Sequence, residues 1–114
     1  VILIKFWLDI SRDEQAGRLE ERMADPLKRF KVSALDAEAQ KRWGEYSKAR
    51  DRMLEETGAP HSEWTVVATD DKKAARLNII RHILHRVHRP GSEVERPDKD
   101  ILFPAQKAKG RLQP

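Results

Sequence analysis

The sequence predicts an α/β fold, and three observations predict it. A nearly unbroken apolar run at residues 2–10 has the β-branched and aromatic content of a strand buried on both faces of a parallel sheet. A second run, Trp64–Ala68 (WTVVA), has the same character, and amphipathic helical segments lie between and after the two. Strands and helices that alternate along a chain bury their apolar faces as helices laid on a sheet. With 114 residues and no internal repeat the chain is at most one domain, and 39% hydrophobic against 37% charged residues leave a modest core under a highly charged surface.

Lys5 and Asp9 are the polar interruptions of the first run. Val1 stands directly inside it with no initiator Met, and two strands cannot cover each other's faces, so the sequence reads as a fragment whose remaining sheet comes from elsewhere. Ser11 followed by Glu14 is a capping box: the hydroxyl accepts the N–H three residues on while the carboxylate reaches back. It predicts a helix to about Ala24, weakened slightly by Gly17. Asp25-Pro26 then resets the chain, with Asp25 as cap and Pro26 opening a short helix over 27–30. Ser33 and Asp36 repeat the capping pattern and predict one helix to about Glu56, ended by Gly58-Ala59-Pro60. Its apolar stripe is Leu35, Ala39, Trp43, Tyr46, Met53 and Leu54. After the second strand, Thr69 is placed to cap a helix with Asp70 and Asp71 in its first turn, where the helix dipole favours acids. The expected buried stripe of that helix is Leu77, Ile80, Leu84 and Val87, widened by Ile79 and Ile83. Residues 1–87 form the predicted folded part. Residues 88–114 form a mostly irregular tail, in which Ile101, Leu102 and Phe103 dock as one short apolar patch.

Composition excludes several classes of function. The longest apolar stretch is the length of a strand, far short of the ~20 residues of a membrane-spanning helix. The early apolar run also lacks the basic lead-in and cleavage site of a signal peptide, so a cytoplasmic protein without a membrane partner is expected. No Cys is present, which removes disulfides and thiolate nucleophiles, and His61, His82, His85 and His88 do not close a metal site by themselves. The net charge of +4 favours anionic partners, yet 19 acids are interspersed among 23 bases, unlike a uniformly basic nucleic-acid binder.

The chemistry concentrates in residues 11–31. Arg18 and Arg22 are four apart, so on a helix their guanidiniums project from the same side, each a planar fork of donors suited to phosphate oxygens. Glu14 stands at a favourable spacing to pair with Arg18 instead. Lys28, Arg29 and Lys31 add three positive charges around Phe30, expected as a hydrophobic anchor. Taken alone they fit an ordinary basic turn as well as a loop that swings toward a polyanion. The arginine pair, the breaker and the basic loop after a buried strand together fit a lid over a phosphoryl-transfer site, where donors must arrive late and exclude water. Lys72, Lys73 and Arg76 start the last helix, but Asp70 and Asp71 share that end and local pairing is the stronger reading. Trp43, Tyr46 and Trp64 are read as core aromatics rather than base-stacking groups. No Ser-His-Asp, paired-carboxylate or glycine-rich phosphate motif is present.

Between about Ile2 and Val87 the chain resembles the C-terminal part of the polyphosphate kinase 2 family. The resemblance is carried by the KFWLDIS strand exit, Glu14-Gln15, Arg18, Arg22, ADPLKRFK (Ala24–Lys31), Trp43, Tyr46, Trp64–Val67 and the DDKKAARLNIIRHIL stretch from Asp70. It implies the C-terminal portion of a P-loop kinase-like, thymidylate-kinase-like parallel sheet with a helical lid at about 11–33, to which this chain contributes about two strands and three to four helices. It also implies transfer of a phosphoryl group between inorganic polyphosphate and nucleoside mono- or diphosphates with Mg2+, in a homo-oligomeric parent. Arg22 then matches the catalytic lid arginine, Arg18 the basic position one turn earlier, and Lys28, Arg29 and Lys31 the basic lid segment; Phe30 stands where the family often has Trp, and Glu63 where it usually has Pro. The family's Gly-rich loop with its Lys and its Asp-Arg motif are not among these residues, so the chain by itself is expected to be inactive and to hold no metal ligands. The rival reading is a non-catalytic basic helical module gripping nucleic acid or another polyanion, and it leaves both buried strands without a purpose.

Overall fold

The structure is a computed structural model, and it describes residues 1–87, 93–108, 110–112 and 114; His88 lies outside them. Strands β1 (Lys5–Asp9) and β2 (Trp64–Ala68) pair in parallel with Lys5 opposite Trp64 and Asp9 opposite Ala68. A third strand, β3 (Leu102–Pro104), adds to β2 antiparallel, so the sheet is mixed and ordered β1-β2-β3. Helices α1 (Arg12–Ala24), α2 (Ala34–Lys41) and α3 (Trp43–Glu56) connect β1 to β2, and α4 (Lys72–Arg86) follows β2.

The core is built on the period-two alternation of β2. Val66 and Val67 are both fully buried on opposite faces. Val67 packs with Ala75 and Leu102, flanked by Phe6 and Ile79, which is the side covered by α4. Val66 packs with Phe103 and Ala108, flanked by Trp7, Ala105 and Leu112, which is the side covered by the C-terminal segment. Arg111 lies 3.7 Å over the Phe103 ring and extends that cover.

Several expectations are corrected. The Ile101–Phe103 patch docks as a strand rather than as irregular chain, because Leu102 and Phe103 alternate onto the two faces that β2 leaves open. The single helix expected from Ser33 to Glu56 is two, divided at Arg42 (φ −104°, ψ 26°), next to the poor helix former Gly44. The short helix after Pro26 is a 3-10 turn at Arg29–Lys31. Asp71, not Thr69, caps α4, accepting from the Ala74 N–H at 3.1 Å. The expected α4 stripe is turned outward, with Leu77, Ile80, Leu84 and Val87 all exposed. The stripe that meets the sheet is Ala75, Asn78, Ile79 and His82, equally regular in spacing.

Candidate functional site

Both parallel strands end where a helix begins, and ligands of open α/β sheets bind outside the carboxyl ends of such strands. The backbone there is closely stitched. The Thr69 N–H and hydroxyl both donate to the Asp9 carbonyl, at 2.8 and 2.7 Å. Ser11 caps α1 by accepting from the Glu14 N–H at 3.2 Å, as its sequence predicts. The reciprocal half of that box is replaced, since Asp70 accepts the Ser11 N–H at 2.8 Å and Glu14 turns to Arg18.

Arg18 is the most heavily engaged residue of the site. Its Nε donates to Glu14 at 3.0 Å, and its Nη2 donates to the Thr69 and Asp70 carbonyls at 2.6 and 2.9 Å. The side chain is only 19% exposed, and it staples α1 to the loop between β2 and α4. Its Nη1 makes no hydrogen bond among the described residues. Arg22, about 6 Å further along the helix axis, is half-buried with no hydrogen bond or ion pair among the described residues. One face of α1 thus carries an anchored guanidinium and an uncommitted one.

The basic segment folds back on the end of α1. Asp25 accepts the Leu27 N–H at 2.9 Å, Arg29 Nε donates to the Met23 carbonyl at 3.2 Å, and Lys28 stands 3.9 Å from Asp25. Lys31 lies 5.9 Å from the Phe30 ring centre. Phe30 is not the expected anchor: it and Leu27 are about four-fifths exposed, so the segment presents its apolar side chains outward along with its charges. Lys72, Lys73 and Arg76 are exposed and, among the described residues, make no ion pair with Asp70 or Asp71, whose carboxylates serve backbone N–H groups instead.

A buried ion pair beside the site was not foreseen. Asp9, ending β1, and Arg50, from α3, are 6% and 7% exposed and approach to 3.5 Å; Trp7 Nε1 also donates to Asp9 at 3.3 Å and Arg50 reaches Asp51 at 2.9 Å. The signal was present: each is a charge at a core-facing position, Asp9 in an apolar strand and Arg50 in step with Trp43, Tyr46 and Met53. The pair floors a cleft of about 240 Å³ walled by Trp43, Tyr46 and Gln15. Tyr46 is exposed on it rather than packed in the core. The acids here do not fit a Mg2+ site by themselves. Asp9 is held by Arg50 and Trp7, Asp70 by Ser11, Asp71 by the α4 N-terminus, and among the described residues no group of three or more potential ligands gathers.

An anion-suited helix face at the carboxyl ends of parallel strands is the arrangement of a phosphate-handling α/β protein. Residues 1–95 match the family model of polyphosphate kinase 2 (PPK2), and the chain belongs to that family. It is 47% identical over 95 residues to an ADP-polyphosphate phosphotransferase of Pseudomonas aeruginosa, covering 83% of this chain and 31% of that one. A GDP-polyphosphate phosphotransferase of the same organism is 38% identical over 110 residues, covering 94% of this chain and 31% of that one. The crystal structure of polyphosphate kinase 2 from Arthrobacter aurescens TC1 superposes with a TM-score of 0.73 at 29% identity, over 96% of this chain and 38% of that one. The chain therefore spans about a third of the length of these relatives.

Proposed function

We propose that these residues are the lid-bearing C-terminal part of a polyphosphate:nucleotide phosphotransferase, which moves a phosphoryl group between inorganic polyphosphate and nucleoside mono- or diphosphates. The observation that carries this reading is that anchored Arg18 shares the face of α1 that rises from the strand ends with Arg22, which has no partner among the described residues. Phosphoryl transfer asks a protein chiefly for positioning and for cations where charge spreads over the transferring oxygens. Arg22 is the group that contacts the transferring phosphate. Arg18 fixes the base of the lid through Nη2 and Nε and offers Nη1 to a neighbouring phosphate. Lys28, Arg29 and Lys31 draw the polymer toward α1. The Gly-rich loop and the metal ligands that complete such a site are not among these 114 residues, so the isolated chain binds phosphates without transferring them, and no step is assigned here to Mg2+.

The test is a chimera in which residues 1–95 replace the matching part of the P. aeruginosa ADP-polyphosphate phosphotransferase. Transfer from polyphosphate to a nucleoside phosphate is expected, falling about 10²–10³-fold in Arg22→Ala. A folded chimera whose transfer is indifferent to that substitution removes Arg22 from the site. Binding by the chain of double-stranded DNA as tightly as polyphosphate would favour the non-catalytic reading.

A further inference from the structure

At the other end of the sheet, two clefts meet. One, of about 590 Å³, is lined by His82, His85, Arg86 and Arg96; the other, of about 280 Å³, shares His82 and Arg86 and adds Lys5 and His61. Three of the four histidines of the chain therefore converge where β1 and β2 begin, far from the strand ends that face α1. This convergence follows from α4 running back along the sheet, which carries its last turn to the segments that precede both strands.

Among the described residues that line these clefts the charge is mostly positive, Lys5, Arg86 and Arg96 against Glu63. Arg86 and Arg96 make no hydrogen bond or ion pair among the described residues. Of the nearby acids, Glu95 pairs with Arg81 at 2.7 Å and its carbonyl lies 3.0 Å from His85 Nε2, while Glu63 accepts from the neutral Gln106 amide at 2.9 Å and keeps its charge at the smaller cleft. Lys5 from β1 lines the smaller cleft, while its Nζ donates to the Thr57 carbonyl and lies 4.8 Å over the Trp64 ring. Burial, and then the charges of Arg86 and His85, hold His82 below its ordinary pKa.

We propose that the two clefts are a second binding site for condensed phosphate, which tightens as His82 takes up a proton. The identity of the ligand rests on the reading of the chain as part of a polyphosphate-using enzyme; the site itself rests on the clefts. A polymer longer than the reacting segment gains a second hold here, and two linked contacts raise affinity beyond either one. Single-stranded nucleic acid is the poorer fit, because its binders offer aromatic platforms for the bases, and among the described residues no Phe, Tyr or Trp lines either cleft. The charged and titratable groups near His82 are Lys5 on β1, His61 and Glu63 before β2, Glu95 and Arg96 after α4, and Arg81, His85 and Arg86 on α4 itself, of which Arg86 and His85 add to burial in lowering its pKa.

The experiment is titration of the chain with long-chain polyphosphate and with inorganic triphosphate at about pH 6 and about pH 8. Long-chain polyphosphate is expected to bind at least about 10-fold tighter at the lower pH. Arg86→Ala/Arg96→Ala and His82→Gln/His85→Gln abolish that gain, while exposed Arg96→Ala alone, which disturbs no packing, reduces it. Triphosphate binding at the higher pH is lost in Arg22→Ala and kept in the α4 variants. A pH-independent affinity, a gain that survives all three α4-side variants, or an equal gain with single-stranded RNA overturns the second site. Triphosphate binding that ignores Arg22→Ala overturns the lid reading and leaves the histidine result to be judged by itself.

Discussion

Arg18 and Arg22 show how one spacing yields two different jobs. Both stand on one face of α1, yet the loop after β2 brings two carbonyls to Arg18, while Arg22 has no hydrogen bond or ion pair among the described residues. Arg18→Lys keeps the charge but loses the planar fork, so it is expected to destabilise the chain by about 1–3 kcal/mol in urea unfolding. Arg22→Ala is expected to stay within about 0.5 kcal/mol of wild type in the same assay. The sequence indicated the Glu14–Arg18 pair through its four-residue spacing, but the carbonyl partners lie more than 50 positions away and leave no local trace. Asp9 and Arg50 were legible as misplaced charges but not as a pair. Arg50→Met leaves Asp9 buried without its cation and is expected to cost about 3–5 kcal/mol by the same measurement, and Asp9→Asn in that background to recover part of the loss.

Among the elements, those governed by local chemistry were readable. The starts of α1 and α2 follow from Ser11 and from Ser33, whose N–H is accepted by Asp36 at 2.9 Å, and β1 and β2 follow from apolar runs. The elements governed by distant partners were not. β3 has three residues, too few for a period to register, and exists because β2 has an open edge. The rotation of α4 was misread because two polar residues occupy its inner stripe. Asn78, 3% exposed, donates to the Ala74 carbonyl at 2.8 Å and accepts the Asp98 N–H at 2.7 Å, fastening the chain that leads to β3. Asn78→Leu is therefore expected to destabilise by about 1–3 kcal/mol despite its greater hydrophobicity, and to raise hydrogen exchange at residues 98–104.

The whole molecule separates its charges by location rather than by net balance. Arg22 and the basic segment lie toward the carboxyl ends of the strands, and the histidine-rich clefts lie at the opposite end. Net charge alone carried none of this, because acids and bases alternate along the sequence and only the turn-back of α4 sorts them. The depressed His82 pKa means that the unfolded chain takes up that proton more readily than the folded one. Stability from this group is present above the ordinary histidine value of 6.5 and is lost as pH falls below it. His82→Gln is expected to lose less stability than wild type between about pH 7 and pH 5 in thermal melts. Added polyphosphate should shrink the wild-type loss, since an anion favours the protonated ring.

The most direct measurement is polyphosphate binding by this chain at about pH 8, across a salt series with double-stranded DNA as competitor, for wild type and Arg22→Ala. Preferential binding of polyphosphate that the substitution weakens about 10- to 100-fold, in a protein of unchanged stability, is the result the lid reading predicts. Equal salt-sensitive binding of both polymers, unmoved by Arg22→Ala, would contradict it.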